Sequence, residues 1–499
     1  MDSNFKIRIK YLNNSLTLPC EANRLALLLK TNIMFGLDTS LTILLIVCLL
    51  AACIFEFING FHDTANAVAT VIYTNSLKPN VAVVWSGIWN AIGVFAGGIA
   101  VAMGISNLLP VEILTDTNIY HNVALIMSLL LTAIMWNLGT WYFGIPCSSS
   151  HTLVGSILGV GLTYSFIAEK PGNYVNWAKA GEIGMSLLIS PLFGFSLAIL
   201  LMYTLRQVLK SKAIFKEPDG NNPPPFWIRL VLLLTCTSVS FSHGSNDGQK
   251  GVGLMMLILI AIVPTYFTIN TAREPYEFKK NIITIEHVLD KVNTAYLDPS
   301  DSFEFRKVRQ YVGELKVQMD SIKDFTATDL KTKYSIRKDL IVLGKSTKKL
   351  LESESVNLSI MDKKSLKHEV TALKSLTDYA PYWVILMISI SLGLGTMIGW
   401  KRIVVTIGEK IGKQHLTYAQ GASSELVAAG TITLSTYLGL PVSTTQVLSS
   451  GIAGSMVASK GIKNLQGGTI RNIAIAWILT LPVCITVSGI LYYILRMIL

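Results

Sequence analysis

The chain has 499 residues, of which 51% are hydrophobic and only 15% charged, with a mean hydropathy of +0.49; ordinary soluble proteins carry roughly a quarter charged residues, so that class is excluded. The net charge of +11 does not indicate nucleic acid, because the bases sit in loops flanking apolar segments, where lipid head groups and topology account for them. Six scattered cysteines (Cys20, Cys48, Cys53, Cys147, Cys236 and Cys484) lack ligand spacing, so neither a disulfide framework nor a metal centre is expected.

Residues 1–33 read as an exposed N-terminal extension. The chain from Met34 onward already has the pattern of a complete membrane protein, and a translation start at Met34 in place of Met1 would explain the extension. The first apolar run, 41–55, lies too far along the chain to be a cleaved signal peptide. Together with 122–135, 184–205, 252–263 and 474–495 it approaches or reaches the ~20 residues that cross a bilayer. These runs predict an all-α polytopic membrane protein with about 10–12 membrane segments.

Short loops rich in Lys and Arg stay on the cytoplasmic side. Lys78, the stretch Arg206 to Arg229 and the stretch Lys401 to Lys413 qualify, whereas 106–121 has neither residue and suits the outer face. From 272 to 379 the composition turns charged and mixed in sign, with Ile282, Ile285, Val288, Leu289 and Val292 at helical spacing. That pattern marks a soluble helical insert, and counting crossings places it in the periplasm. The predicted organisation is a first transmembrane repeat at 34–209, a basic cytoplasmic loop at 210–225, the start of a second repeat at 226–271, the insert at 272–379 and the remainder of the second repeat at 380–499.

The repeat is visible in two motifs. T-W-Y-F-G-I-P-C-S-S-S-H at 140–151 aligns with S-T-Y-L-G-L-P-V-S-T-T-Q at 435–446. Upstream, N-G-F-H-D-T-A-N at 59–66 pairs with H-G-S-N-D-G-Q-K at 243–250. Each half is expected to hold a helix broken at the polar motif, two spanning helices, the Pro-hydroxyl motif, then a short and a long helix. The halves start on opposite sides, so the repeats are inverted, with broken helices and re-entrant half-helices, the architecture of a secondary transporter.

Backbone left unpaired in hydrocarbon is costly, so a mid-membrane break lines a cavity or binds something. Pro146 and Pro441 each precede hydroxyl residues at which a helix can begin: Ser148, Ser149 and Ser150, or Ser443, Thr444 and Thr445. One such site alone reads as an N-cap; two related by a repeat read as paired helix starts that favour an anion. Asp63 and Asp247 lie between apolar halves, where a carboxylate costs roughly 2.5–3.5 kcal/mol and needs a function or partner. Beside an anion they fit if they hold cations or accept the hydrogen of a protonated oxyanion, which favours phosphate over sulfate.

On these motifs the chain resembles the PiT family of inorganic phosphate transporters, its bacterial low-affinity Pit type, over 34–499 but weakly across 272–379. The resemblance implies a multi-pass protein of the cell inner membrane that imports inorganic phosphate by symport, not an enzyme. It implies substrate and ion contacts at Asp63, Asn66, Ser148, Ser149, Ser150, Asn246, Asp247, Ser443, Thr444 and Thr445. Where a symmetric signature would repeat Asn66, this chain has Lys250, whose ammonium can stand where a metal cation would. That substitution predicts proton coupling, with His62 or an aspartate as relay and Lys250 paired with Asp247 or with phosphate. A sodium-coupled phosphate symporter and a sulfate or other oxyanion permease on the same scaffold are the alternatives. His151, His243, Glu56 and Glu425 are secondary candidates, and the Gly155/Gly159 and Gly393/Gly399 spacings suggest close helix approach. No HExxH or GxxxxGK[ST] motif supports a hydrolase or an ATP-driven pump. No organic cofactor is expected; the partners are the lipid bilayer, phosphate and a coupling cation, H+ or Na+, with a divalent metal carried as a metal-phosphate complex and a homo-oligomer left open.

Overall fold

The computed structural model describes residues 35–110, 113–114, 118–168, 172, 174–218 and 222–499. The 1–33 extension and a start at Met34 lie outside the described residues. Residues 35–47 hold a turn at Phe35–Gly36 and the opening of the first helix.

The first half contains α1 (Thr39–Asp63), α2 (Ala65–Tyr73), α3 (Pro79–Ala96), α4 (Ala100–Ser106), α5 (Ile119–Tyr142), α6 (Ser149–Ile167) and α7 (Trp177–Val208). The second opens with α8 (Phe226–Ile262) and a single turn, α9 (Pro264–Phe267). An insert of α10 (Pro275–Leu289), α11 (Pro299–Ser321), α12 (Leu330–Glu352) and α13 (Ile360–Lys374) intervenes before α14 (Tyr382–Thr396), α15 (Lys401–Glu409), α16 (Tyr418–Tyr437), α17 (Thr444–Lys460) and α18 (Gly467–Ile498). Among the described residues, seven helices are long and apolar enough to cross a membrane, or eight with the bent pair α14–α15. Helix α16, which carries Gln420 and Glu425, and the 17-residue α17 fall outside that number by composition or length.

The repeat is written in the backbone. Gly98, between α3 and α4, has φ 75°, and Gly399, between α14 and α15, has φ 73°. Gly144 and Gly439, just ahead of the two prolines, have φ 66° and 68°. Only glycine enters this left-handed region without strain, so matching glycines fix matching breaks. Each half then ends as the sequence predicts, with a short helix followed by a 32-residue one, α7 and α18.

The two copies run in opposite senses. At one end the basic stretches gather: Arg229 Nε donates to Ser76 O at 2.7 Å, Tyr418 N to Lys216 O at 3.4 Å, and Lys460 pairs with Glu217 at 3.3 Å. At the other end the insert meets the loop free of Lys and Arg, through Tyr334 Oη to Leu114 O at 3.1 Å and Arg337 to Asn107 at 3.4 Å. Helix α6 leaves the centre toward the insert end, and α17 leaves it toward the basic end.

One local expectation is corrected. The second polar motif, 243–250, does not break a helix but lies inside the continuous 37-residue α8. Its glycines serve contact instead of a kink: a Cβ at Gly244 would lie 2.0 Å from Asn90 O, and one at Gly253 would lie 2.4 Å from Ala102 O. Bare backbone at these positions lets α8 press against α3 and α4. Gly159 does the same for α6 against α18, where a Cβ would meet Ile485 O at 2.1 Å. In the first half, α1 gives way to α2 at Thr64, whose hydroxyl donates to Gly60 O at 2.7 Å and Thr396 O at 2.9 Å.

The insert has its own core, in which Ile282, Ile285, Val288 and Leu289 of α10 pack with Val308 and Val312 of α11, Ile336 and Leu340 of α12, and Leu366 and Val370 of α13. Its ends adjoin: Asn270 N donates to Leu376 O at 2.7 Å. Buried Arg337 donates to Thr268 O at 3.1 Å and Thr377 O at 3.2 Å, tying both ends to α12. Burial draws this guanidinium's pKa below the usual arginine range, and Asp378 opposes the shift.

Candidate functional site

The two Pro-hydroxyl motifs form the same local structure. Ser148 and Ser443 are N-caps with extended backbones, each accepting from the amide three residues on (His151 N and Gln446 N) at 3.2 Å. The proline before each carries no N–H, so the extended entry segment has one fewer donor to satisfy. The next two residues, Ser149–Ser150 or Thr444–Thr445, turn buried hydroxyls into the first helical turn. The two starts meet: Ser150 Oγ donates to Val442 O at 2.6 Å.

The first-half polar motif faces the start of α17. Asp63 accepts from Thr445 Oγ1 at 2.5 Å and Thr444 Oγ1 at 3.2 Å, and Asn66 Nδ2 donates to Thr445 Oγ1 at 3.2 Å. The second-half motif faces the start of α6 and the strand-like entry to α17. Lys250 Nζ lies 2.6 Å from Asp247 Oδ2 and 2.6 Å from Ser150 Oγ. Asn246 Nδ2 donates to Thr436 Oγ1 at 2.9 Å and Leu440 O at 3.2 Å, and its Oδ1 accepts from Val442 N at 3.3 Å. All of these side chains are buried. The repeat has therefore exchanged partners, each polar motif contacting the helix start of the opposite half.

His243 joins the halves, a role its sequence position gave only weakly. Its Nε2 lies 3.6 Å from both Asp63 Oδ2 and Asp247 Oδ2, while Nδ1 lies 2.7 Å from Asn90 Oδ1. A carbonyl oxygen only accepts, so Nδ1 carries a hydrogen. A proton added at Nε2 then makes an imidazolium between two carboxylates. The ligating atoms of Asp63, His243 and Asp247 lie within 4.8 Å of one another, near enough to hold one cation; cysteine spacing could not anticipate this cluster. Asn90 was also missed, although it is an amide set among the apolar residues of α3.

His62 sits on the far side of Asp63, with Nδ1 3.3 Å from Asp63 Oδ1 and Nε2 3.3 Å from Thr140 Oγ1. His151 is occupied at the cap, its Nδ1 2.7 Å from Ser148 Oγ. Glu56 accepts from Asn59 Nδ2 at 3.2 Å. Glu425 is set apart from this cluster, accepting from Thr70 and, at 2.5 Å, from Thr235. Two helix N-termini, hydroxyl donors and one ammonium offer positive potential to an oxyanion, and two carboxylates offer acceptors for its hydrogen or for a cation.

Comparison with known proteins bears on the family. Residues 59–488 match the model of the phosphate transporter family. The chain is 39% identical over 485 residues to the low-affinity inorganic phosphate transporter of Buchnera aphidicola subsp. Acyrthosiphon pisum, covering 92% of this chain and 97% of that one. It is 38% identical over 496 residues to PitB of Escherichia coli K12, a low-affinity inorganic phosphate transporter, covering 93% and 99%. A solved structure titled the sodium-dependent phosphate transporter shares the fold at a TM-score of 0.53 and 22% identity, over 91% of this chain and all of that one. With an inverted pair of helix starts meeting at buried acids, and a family match spanning both repeats, the chain belongs to the phosphate transporter family.

Proposed function

We propose that the protein is a secondary active symporter of the cell inner membrane that imports inorganic phosphate together with protons, by alternating access around the site just described. The observation that carries this reading is the meeting of the α6 and α17 starts, Ser150 to Val442 at 2.6 Å, beside Asp63 and Asp247. In this reading the amides and hydroxyls at 148–150 and 443–445 bind the phosphate oxygens. The aspartates accept the hydrogen that phosphate keeps near neutral pH, and sulfate, lacking it, leaves those acceptors unmatched.

Proton coupling is supported by two features. Lys250 brings an ammonium to Asp247, at 2.6 Å, where a metal ion would otherwise balance the acid. His243 stands between the two carboxylates, its Nε2 3.6 Å from each, in the position of a relay between the repeats. Sodium coupling is the second reading, favoured by the Asp63, His243 and Asp247 cluster and by the likeness in fold to the sodium-dependent phosphate transporter.

Radiolabelled phosphate uptake in proteoliposomes, with proton, sodium and magnesium gradients varied separately, distinguishes them. The expected result is uptake driven by a proton gradient without sodium and not inhibited by excess sulfate. Strict sodium dependence rejects proton coupling, and competition by sulfate rejects the selectivity. A requirement for magnesium identifies a metal-phosphate complex as the carried species.

A further inference from the structure

The insert carries a charge pattern that its core does not require. A groove of about 550 Å³ runs between α12 and α13, lined by Lys348, Lys363, Lys364, Lys367 and Lys374 with Glu352 as the acid. It shares Gly344, Lys348 and Lys374 with a cleft of about 340 Å³ where the insert meets α4, the start of α7 and the Gly439 turn, and there Lys345 and Lys179 join the lining. Gly344 makes the two continuous, since a Cβ there would lie 2.9 Å from Cδ of Lys374, whose stem crosses α12 at this point. At the inner end, a Cβ on Gly104 would lie 3.3 Å from Cε of Lys179 and 3.4 Å from Gly439 O. The track of ammonium groups thus ends at the turn that leads, through Pro441, into Ser443 and the start of α17.

On other faces of the insert several lysines are ion-paired: Lys316 with Glu286 at 2.6 Å, Lys291 with Asp362 at 2.7 Å and Lys349 with Glu304 at 2.5 Å. Along the track, Lys374 pairs with Asp378 at 3.2 Å and Lys179 with Glu182 at 3.1 Å. Lys345, Lys364 and Lys367 have no carboxylate within 4.0 Å among the described residues. A solvated helix face normally intersperses signs; the groove between α12 and α13 sets five lysines against one acid, Glu352, which lies 3.9 Å from Lys348. Low-dielectric walls focus such a field and raise the local concentration of an oppositely charged solute.

We propose that this groove is a collecting site for the phosphate dianion, a weak electrostatic subsite outside the membrane that feeds the Gly439 turn. The proposal rests on the reading that phosphate is the substrate, and it gives the insert a function that the membrane repeats do not supply. Lysine suits this task because a compact, hydrated charge holds an anion without fixing its orientation. The phosphate of an anionic lipid head group has the same chemistry, so the test separates the two sources.

Initial rates of inorganic phosphate uptake are to be measured in proteoliposomes of the full chain, oriented with the insert outward, at low and high ionic strength. The triple variant Lys345→Gln, Lys364→Gln, Lys367→Gln raises the phosphate KM roughly three- to ten-fold with maximal rate unchanged, a steering effect at the low end of the known range. Wild-type KM rises with ionic strength as screening shortens the field, and the variant's KM barely responds. The corresponding triple Lys→Arg variant keeps wild-type KM and salt response, which ties the effect to charge. An unchanged KM in the Gln variant, or a fall in maximal rate alone, overturns the proposal. So does a KM shift that disappears in purely zwitterionic lipid, which assigns the groove to head groups. Absence of phosphate uptake by the wild type at saturating phosphate is a different result and strikes the proposed function itself.

Discussion

Lys250 is the residue at which this chain departs from its own repeat, and the site is built around the difference. Its ammonium sits between Asp247 and Ser150, while Asn66, the matching residue, has no charge to offer. Lys250→Asn removes one member of a buried charged pair, an interaction of about 1.5–3 kcal/mol. Sodium-free uptake should then fall at least about ten-fold by that estimate, with partial recovery when sodium fills the vacated position. Wild-type sodium-free uptake in this variant rejects Lys250 as the built-in cation. Asp63→Asn should nearly abolish transport while leaving the protein inserted and folded, because Thr444, Thr445 and His243 all converge on that carboxylate. Size-exclusion behaviour and uptake measured on the same preparation check it.

Among the elements, the glycine pairs separate strain from crowding. Gly144 lies at φ 66° with its nearest neighbour 3.5 Å from an added Cβ, so Gly144→Ala imposes backbone strain alone, about 1–2 kcal/mol. Gly244 is helical, yet its Cβ would lie 2.0 Å from a backbone oxygen of α3. Gly244→Ala must push two helices apart, at an overpacking cost of about 1–3 kcal/mol. Gly184 in α7 has open space around it, and Gly184→Ala should leave stability unchanged or slightly higher. Thermal midpoints in detergent should rank the three variants with Gly184→Ala highest, and a Gly244→Ala protein as stable as wild type contradicts the close α3–α8 packing.

At the scale of the whole molecule, the insert is an excursion whose ends meet through Asn270 and Leu376. Replacing most of 272–379 with a short linker should therefore preserve uptake at saturating phosphate, with KM raised by loss of the basic groove. Loss of the maximal rate in a protein that still expresses and inserts shows that the insert supports the membrane repeats. Arg337→Ala tests its attachment more gently. It leaves the Thr268 and Thr377 carbonyls without this donor, costing about 1–3 kcal/mol, and hydrogen exchange at 268–272 and 376–380 should accelerate.

The sequence by itself determined the membrane class, the two copies of the repeat, the insert and nearly every side chain at the centre. Apolar run length, helical spacing and motif order are properties read along the chain, and each has a local physical cause. Only the tertiary structure decided which half serves which. It set Asp63 against Thr444 and Thr445, Lys250 against Ser150, and His243 between the two aspartates, because such contacts depend on how helices cross and not on their spacing in sequence. The same limit explains the misread break at 243–250: glycine marks either a kink or a close approach, and the difference lies in a neighbour, Asn90, more than 150 residues away in the chain. The basic groove was likewise invisible until α12 and α13 were laid side by side, since lysines scattered on a polar helix reveal their common face only when a second helix turns toward it.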